Sequence, residues 1–432
     1  MAIEHEEDHP PRYVNIGWTV GNYCNARCGH CYSWKVRKDS RLFLTPAEVE
    51  HIVDQLASLK VETVNLGGNE PIYTHGPDLR ATLLPFIIQR LHAAGIAVGF
   101  TTNGVTFDFL WRHHRETLMK VNDIDFSLDS PFCQEHDDHR GAKLFHMVTQ
   151  GIQRCVAMGI DCSVITVGLR TTFNQEYLSA FLQLTRLLGA EFRINSLKPI
   201  DSTLKAEMPT REQFYESFAF LLQNTHCVTL GESCLTALVG AGAVGCPCGH
   251  YSFRINSKGP DGKLPISPCV YLHDFRTGDL LTQDIHDIIH SPPFVAYRSR
   301  QRVLPRACQE ANCAFLERCR GGCAARAYLT YGDMEARDPY CPQALVDQDG
   351  DWVSHFPQDL KIAHNGVRVH DNYLCTWIGA TQPWFEHPRY PNLEAFEQVR
   401  PDSTARRPLV NLRQTQVGSG YAPIVKQAVD KR

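Results

Sequence analysis

From Tyr13 to about Asn224, short apolar runs of strand length alternate with stretches of helical period. The strand-like runs are 13–20, 61–67, 96–102, 121–129, 160–169 and 190–197. Helical periodicity marks about 45–59, 78–94, 106–119, 143–158, 175–188 and 209–223. The first helix carries its own start signal: Thr45 can cap it, Pro46 suits its first position, and Glu48 can close a capping box. Six strand-then-helix repeats predict an α/β fold, with a parallel sheet and helices outside it.

The pattern changes after about residue 225. Cysteine becomes crowded between Cys227 and Cys341, helical periodicity weakens, and Gly and Pro recur in GCPCGH and KGPDGKLPISPC. This reads as a loop-rich unit organised by metal rather than by a large core. Beyond it come aromatic, Pro and His residues with little periodicity. Three regions are therefore expected: 12–225, 226–345, and an extension 346–432 that packs short strands and loops on the body.

Composition narrows the options. The chain has 432 residues, enough for two or three domains. Its net charge of −4 gives no basic field for nucleic acid or an anionic membrane. No apolar run approaches the roughly 18 residues of a membrane span, and MAIEHEEDHPPR lacks a signal-peptide core. A cytoplasmic location is expected. Seventeen cysteines without an export signal point to metal ligation in a reducing compartment rather than to disulfides.

The sharpest chemical signal is GNYCNARCGHCYSW, where Cys24, Cys28 and Cys31 have the spacing C-x3-C-x2-C. Three thiolates can hold three corners of a [4Fe–4S] cube and leave one iron open to substrate or cofactor. A zinc knuckle would usually add a fourth ligand at short spacing, and His30 lies between two of the cysteines, poorly placed to supply it. By the strand assignment, this triplet and the runs Gly67–Pro71, Thr101–Gly104 and Ser127–Asp129 all fall at strand C-terminal ends, where α/β folds bind ligands.

Those same runs resemble the radical S-adenosylmethionine (SAM) superfamily. The triplet is similar to its C-x3-C-x-aromatic-C motif, with His30 in the aromatic slot. Gly67-Gly68-Asn69-Glu70-Pro71 resembles GGEP, with Asn69 where the family usually has Gly. Thr101-Thr102-Asn103-Gly104 resembles its T-N-G run. Ser127-Leu128-Asp129, with His136-Asp137 and Arg140-Gly141, resembles a stretch of the branch containing anaerobic sulfatase-maturating enzymes and peptide maturases. The resemblance implies a partial (β/α)6 TIM-like barrel. It also implies that Cys24, Cys28 and Cys31 hold a SAM-binding [4Fe–4S] cluster. Gly67, Gly68, Asn69 and Glu70 would seat the methionyl group, with His30, Thr102, Asn103, Ser127 and Asp129 as further contacts.

Cys308, Cys313, Cys319, Cys323 and Cys341 form C-x4-C-x5-C-x3-C-x17-C, downstream of Cys246, Cys248 and Cys269. This resembles the SPASM domain, which carries two auxiliary [4Fe–4S] clusters; the first gap here is longer than the family's, and the x5 and x3 gaps match. By position, an outer cluster would take Cys308, Cys313, Cys319 and Cys341. An inner one would take Cys269 and Cys323 with Cys246 and Cys248, or with Cys234 or an open iron site in place of one of these. Zinc accepts the same ligand sets. Among the remaining cysteines, Cys133 follows the fourth strand, where a thiol could return a hydrogen atom to a substrate radical.

The resemblance implies reductive cleavage of SAM to a 5′-deoxyadenosyl radical, hydrogen abstraction, and oxidation of a ribosomally made peptide to a crosslink, thioether or related product. The alternative is a dehydrogenase or epimerase of a small polar metabolite. Sulfatase maturation fits less well, because Val270 rather than Asp follows Cys269. An external one-electron reductant of flavodoxin or ferredoxin type is implied. About a dozen residues precede the first strand, so leader recognition is assigned to a separate protein.

Overall fold

The computed structural model of the chain describes residues 13–33, 42–239, 246, 248–299, 305–311, 313–346, 356, 368–369, 376–382 and 385. Most of the expected extension 346–432, Cys375 and the side chain of Cys227 lie outside them. The strands are β1 (Asn15–Trp18), β2 (Thr63–Leu66), β3 (Thr74–Pro77), β4 (Ala97–Thr102), β5 (Asp123–Ser127), β6 (Asp161–Gly168), β7 (Glu191–Ser196), β8 (Thr225–Leu230), β9 (Arg254–Ile255), β10 (Ile266–Ser267), β11 (Arg368–Val369) and β12 (Thr376–Thr381).

All six expected strands form, and they pair in parallel in the order β1-β2-β4-β5-β6-β7. Helices Pro46–Ser58, Leu84–Ala93, Phe145–Met158, Gln175–Leu188 and Arg211–Asn224 occupy expected positions. Thr45 closes the capping box with Glu48. The stretch expected as a helix over 106–119 is broken into Val105–His113 and Arg115–Leu118, where His114 leaves helical geometry at φ −141°. The 78–94 stretch begins as a 3-10 turn capped by Asp78, and the α-helix starts only at Leu84. Pro85 fits because first-turn amides have no helical partner to lose.

Strand alternation gives the sheet two unlike faces. Val64, Phe100, Ile124, Phe126, Val164, Phe192 and Ile194 are fully buried under the helices. Full burial of each such side chain contributes about 1.5–3 kcal/mol. The opposite face is polar. Thr101 donates to Asn65 (3.3 Å) and Asp125 (3.4 Å), Ser163 donates to Asp125 (2.5 Å), and Arg193 pairs with Asp125 and reaches Thr376 (3.2 Å). This belt crosses β2, β4, β5, β6, β7 and β12, and each buried polar group in it is matched by a partner on a neighbouring strand.

The sheet continues past both ends of the six-strand unit. β9 joins β1 in parallel and pairs with β10, while β12 lies antiparallel between β7 and β8. The cysteine-rich segment and part of the extension are thus stitched into the same sheet as the first six strands.

Candidate active site

The three thiols of the triplet follow β1 and are half-buried. The loop is fixed by Cys31 N donating to the Cys28 carbonyl (3.3 Å) and Arg27 N donating to the Arg140 carbonyl (2.8 Å). Burial pushes the Cys28 thiol up to about 12, opposed by Arg140 and reinforced by Asp129, Cys31 and Cys24. Three thiols this close resist becoming thiolates together without a positive centre among them, which is the role an iron–sulfur cluster fills.

Glu70 organises the next two motifs. Its carboxylate accepts from Thr102 Oγ1 (2.5 Å), Asn103 N (2.8 Å) and Thr106 N (2.8 Å) while only 3% exposed. Burial raises its pKa, and those three donors oppose the rise. Glu70 therefore clamps the Thr102–Thr106 turn onto the Gly67–Pro71 loop. Asn103 carries the link onward, its amide nitrogen lying 2.9 Å from Asn25 Oδ1 and 3.7 Å from Cys24 Sγ. Asn69, the departure from the family motif, donates to the Gly21 carbonyl (2.7 Å) and so ties the loop to the chain entering the triplet.

Asp129 is 3% exposed and lies against Arg140, with contacts of 2.8 and 2.5 Å, and against His30 Nε2 at 3.4 Å. Burial alone would raise its pKa, but Arg140, then His30 and His136, hold it well below the usual carboxylate range. Burial lowers His30 to about 4. Asp129 and Arg140 thus form a buried ion pair, with the neutral His30 ring of the triplet loop lying against the carboxylate. Ser127 ends β5 half-buried, paired in register with Ile165.

Cys133 begins helix Cys133–Arg140, and its sulfur lies 3.7 Å from the ring of His146, an exposed residue of the outer helical layer. Burial and then Asp137 raise its pKa.

Two residues without a role in the sequence reading join the site. Arg254 on β9 bonds Thr19 and the Tyr32 hydroxyl (3.2 Å), and its guanidinium packs on the Gly67–Gly68 turn. Gly68 has φ +95°, and a Cβ there would collide with that guanidinium. His273 bonds the Tyr32 carbonyl at 2.6 Å. Arg140 had a signal in its R-G motif. Arg254 had none, since its approach depends on β9 pairing with β1.

Behind Tyr32 the later cysteines fall into two groups. Cys246, Cys248, Cys269 and Cys323 are buried in one cluster with Tyr271, Leu272 and Tyr297. Burial, then contacts with Cys246 and Cys269, raise the Cys248 thiol well above its ordinary value. Cys308, Cys313, Cys319 and Cys341 line one small cavity with Gly321 and Asp338. Cys234, considered for the inner set, lies instead against Cys319 at 3.9 Å between sulfurs. Among the described residues, no three His, Cys, Asp or Glu side chains converge as a single-ion chelate. A cube makes a different demand, since it distributes its cysteines over separate irons.

The radical SAM superfamily profile matches residues 18–183, and an iron–sulfur cluster-binding domain of SPASM type matches 246–314. The chain belongs to the SPASM branch of the radical SAM superfamily. It is an enzyme of that superfamily, with a [4Fe–4S] cluster and SAM as cofactors and an iron–sulfur-binding C-terminal domain. It is 29% identical over 358 residues to the mycofactocin maturase MftC of Mycobacterium ulcerans, covering 79% of this chain and 90% of that one. Its fold is similar to that of Streptococcus suis SuiB bound to precursor peptide SuiA, with TM-score 0.57, 16% identity, and 76% and 75% of the two chains covered. The enzyme anSMEcpe with bound AdoMet gives TM-score 0.59 at 13% identity, over 80% and 94% of the chains. These two likenesses show the fold, a partial TIM-like barrel.

Proposed function

We propose that this radical SAM enzyme oxidatively modifies a ribosomally made peptide. The observation that carries the reading is the pair of four-cysteine groups packed behind the SAM-binding motifs. They give an electron released by substrate two places to go. The likeness to MftC along 90% of that maturase supports a maturation reaction, as does a shared fold with a SuiB structure that holds a precursor peptide.

When bound, the first cluster and SAM supply a 5′-deoxyadenosyl radical that removes a hydrogen atom from substrate. The chain's own residues prepare that event. Cys24, Cys28 and Cys31 hold the first cluster. The Gly67–Asn69 backbone seats the methionyl group, and Glu70 fixes the Thr102–Asn103 turn beside it. Asp129 orients Arg140 and His30 beneath the triplet. Cys246, Cys248, Cys269 and Cys323 hold an inner auxiliary cluster, and Cys308, Cys313, Cys319 and Cys341 an outer one.

A flavodoxin- or ferredoxin-type protein supplies electrons, a separate protein presents the peptide leader, and the enzyme works in the cytoplasm. Among the described residues, no helix is long and apolar enough to cross a membrane. Anaerobic reconstitution should give about twelve irons per chain. Incubation with reductant, SAM and short precursor peptides encoded beside the gene should release 5′-deoxyadenosine and lower the peptide's mass. Unchanged peptides, with turnover instead of an aminocyclitol, sugar or nucleoside, would move the assignment to the small-metabolite reading.

A further inference from the structure

Four charged side chains lie buried between β7 and the inner cysteine group, apart from the SAM motifs, and one of them, Asp338, also lines the outer cysteine cavity. Lys198, Arg326, Glu232 and Asp338 are each at most 1% exposed. Arg326 forks onto Asp338 with Nε to Oδ1 at 2.7 Å and Nη2 to Oδ2 at 2.8 Å. Its remaining donors reach Ser196 Oγ (2.8 Å) and Glu232 (3.1 and 3.3 Å). Its guanidinium carbon lies 4.5 Å from the centre of the Tyr340 ring. Lys198 pairs with Glu232 at 3.2 Å and lies 5.3 Å over the ring of Tyr271, two residues beyond Cys269. Burial alone would raise Glu232, but Arg326 and Lys198 hold it at about 2.

This quartet is wired to the cysteines. Cys323 N donates to Asp338 Oδ2 at 2.6 Å, and Arg326 N lies 3.4 Å from Cys323 Sγ. Cys341 N donates to the Asp338 carbonyl at 2.8 Å. Gly322 has φ +68°, and a Cβ there would fall 2.6 Å from Asp338 Oδ2, so the turn before Cys323 is shaped around that carboxylate. Stability alone explains the arrangement poorly, because buried ion pairs are often no more stabilising than well-packed apolar residues. Fixed charge beside a redox centre does have a consequence. A cation favours the reduced, more negative cluster, and an anion favours the oxidised one.

We propose that Arg326 and Asp338 are positioning residues that set the reduction potential of the inner auxiliary cluster at Cys323, with Glu232 and Lys198 fixing the guanidinium in place. The proposal rests on the cluster assignment above. Arg326 raises the potential and Asp338 lowers it, so the balance between them tunes how readily that cluster takes an electron.

The test is a redox titration of the reconstituted full-length enzyme, followed by electron paramagnetic resonance. Arg326→Gln should lower the midpoint of the inner auxiliary signal and Asp338→Asn should raise it. Each shift should be roughly tenfold in the reduction equilibrium, about 59 mV for one electron. The double variant should return towards the wild-type value, and the first cluster's midpoint should stay put. Arg326→Lys keeps the charge without the fork and should move the midpoint less than Arg326→Gln. A purely structural role gives shifts of one sign, or none, in variants that keep their iron, and overturns the proposal. If Arg326→Gln does not fold, Asp338→Asn decides: a raised midpoint supports the tuning role and an unmoved one ends it. Wild-type enzyme without auxiliary iron would be a different failure, removing the cluster assignment itself.

Discussion

The thiols after β1 and the inner group behind them use burial in opposite ways. Cys24, Cys28 and Cys31 are half-buried in a loop tied down by Asn103 and Arg140. Cys246, Cys248, Cys269 and Cys323 are at most 3% exposed and pack among aromatic and aliphatic side chains. A centre that meets SAM and substrate needs access. A centre that only accepts electrons gains from a shell that excludes water and fixes nearby charge.

Single substitutions should separate the two. Cys28→Ala should cost about four irons. Release of 5′-deoxyadenosine should fall at least about a thousandfold, because the cofactor carries the difficult chemistry. Its urea midpoint should change little, since the loop is not part of the core. Cys269→Ala should also cost about four irons. It should lower unfolding free energy by about 4 kcal/mol or more, the range reached when a buried metal centre is lost. Uncoupled SAM cleavage should survive it while peptide oxidation stops. Equal destabilisation by the two variants would erase the distinction between an access site and a core site.

The next effect probes the floor of the first site. Asp129→Asn leaves Arg140 buried with a neutral partner and should cost about 3–5 kcal/mol in urea unfolding. It should also raise the KM for SAM, because Arg140 and His30 lose the group that orients them. Gly68→Ala is smaller. Its strained φ and the collision with Arg254 should cost about 1–3 kcal/mol. SAM binding, read by equilibrium dialysis, should weaken up to about tenfold, since a 1.4 kcal/mol loss is tenfold in Kd. Wild-type SAM affinity in the Gly68→Ala variant would show that Arg254 does not brace the turn.

The same contrast governs what was legible in the chain. Each of the six strand–helix units buries its own apolar stripe, so periodicity located all of them. The motifs after β1, β2, β4 and β5 were legible because they follow strand ends. The joins between regions were not. β12 slots between β7 and β8 across more than a hundred residues, and the two-residue β9 carries Arg254 to Thr19 only through its pairing with β1. Such pairings leave no local pattern. The Arg326 quartet was hidden for the same reason, because Ser196, Glu232, Arg326 and Asp338 come from four separate stretches. Cys234 shows the limit of counting spacings, which offered it to the inner group while the structure sets it beside Cys319.

Cys133 gives the smallest expected effect and the cleanest check on where radical chemistry occurs. Its thiol lies 3.7 Å from the ring of exposed His146 in the helical layer. Burial and Asp137 both raise its pKa, so it has little thiolate character near neutrality. A hydrogen-atom donor must touch the substrate radical, and this sulfur points towards a surface histidine. Cys133→Ala should stay within about 0.5 kcal/mol of the wild type in stability, as surface substitutions usually do. It should also keep full peptide turnover. Loss of peptide turnover while 5′-deoxyadenosine release continues would make Cys133 the donor and bring its helix into the reaction chamber.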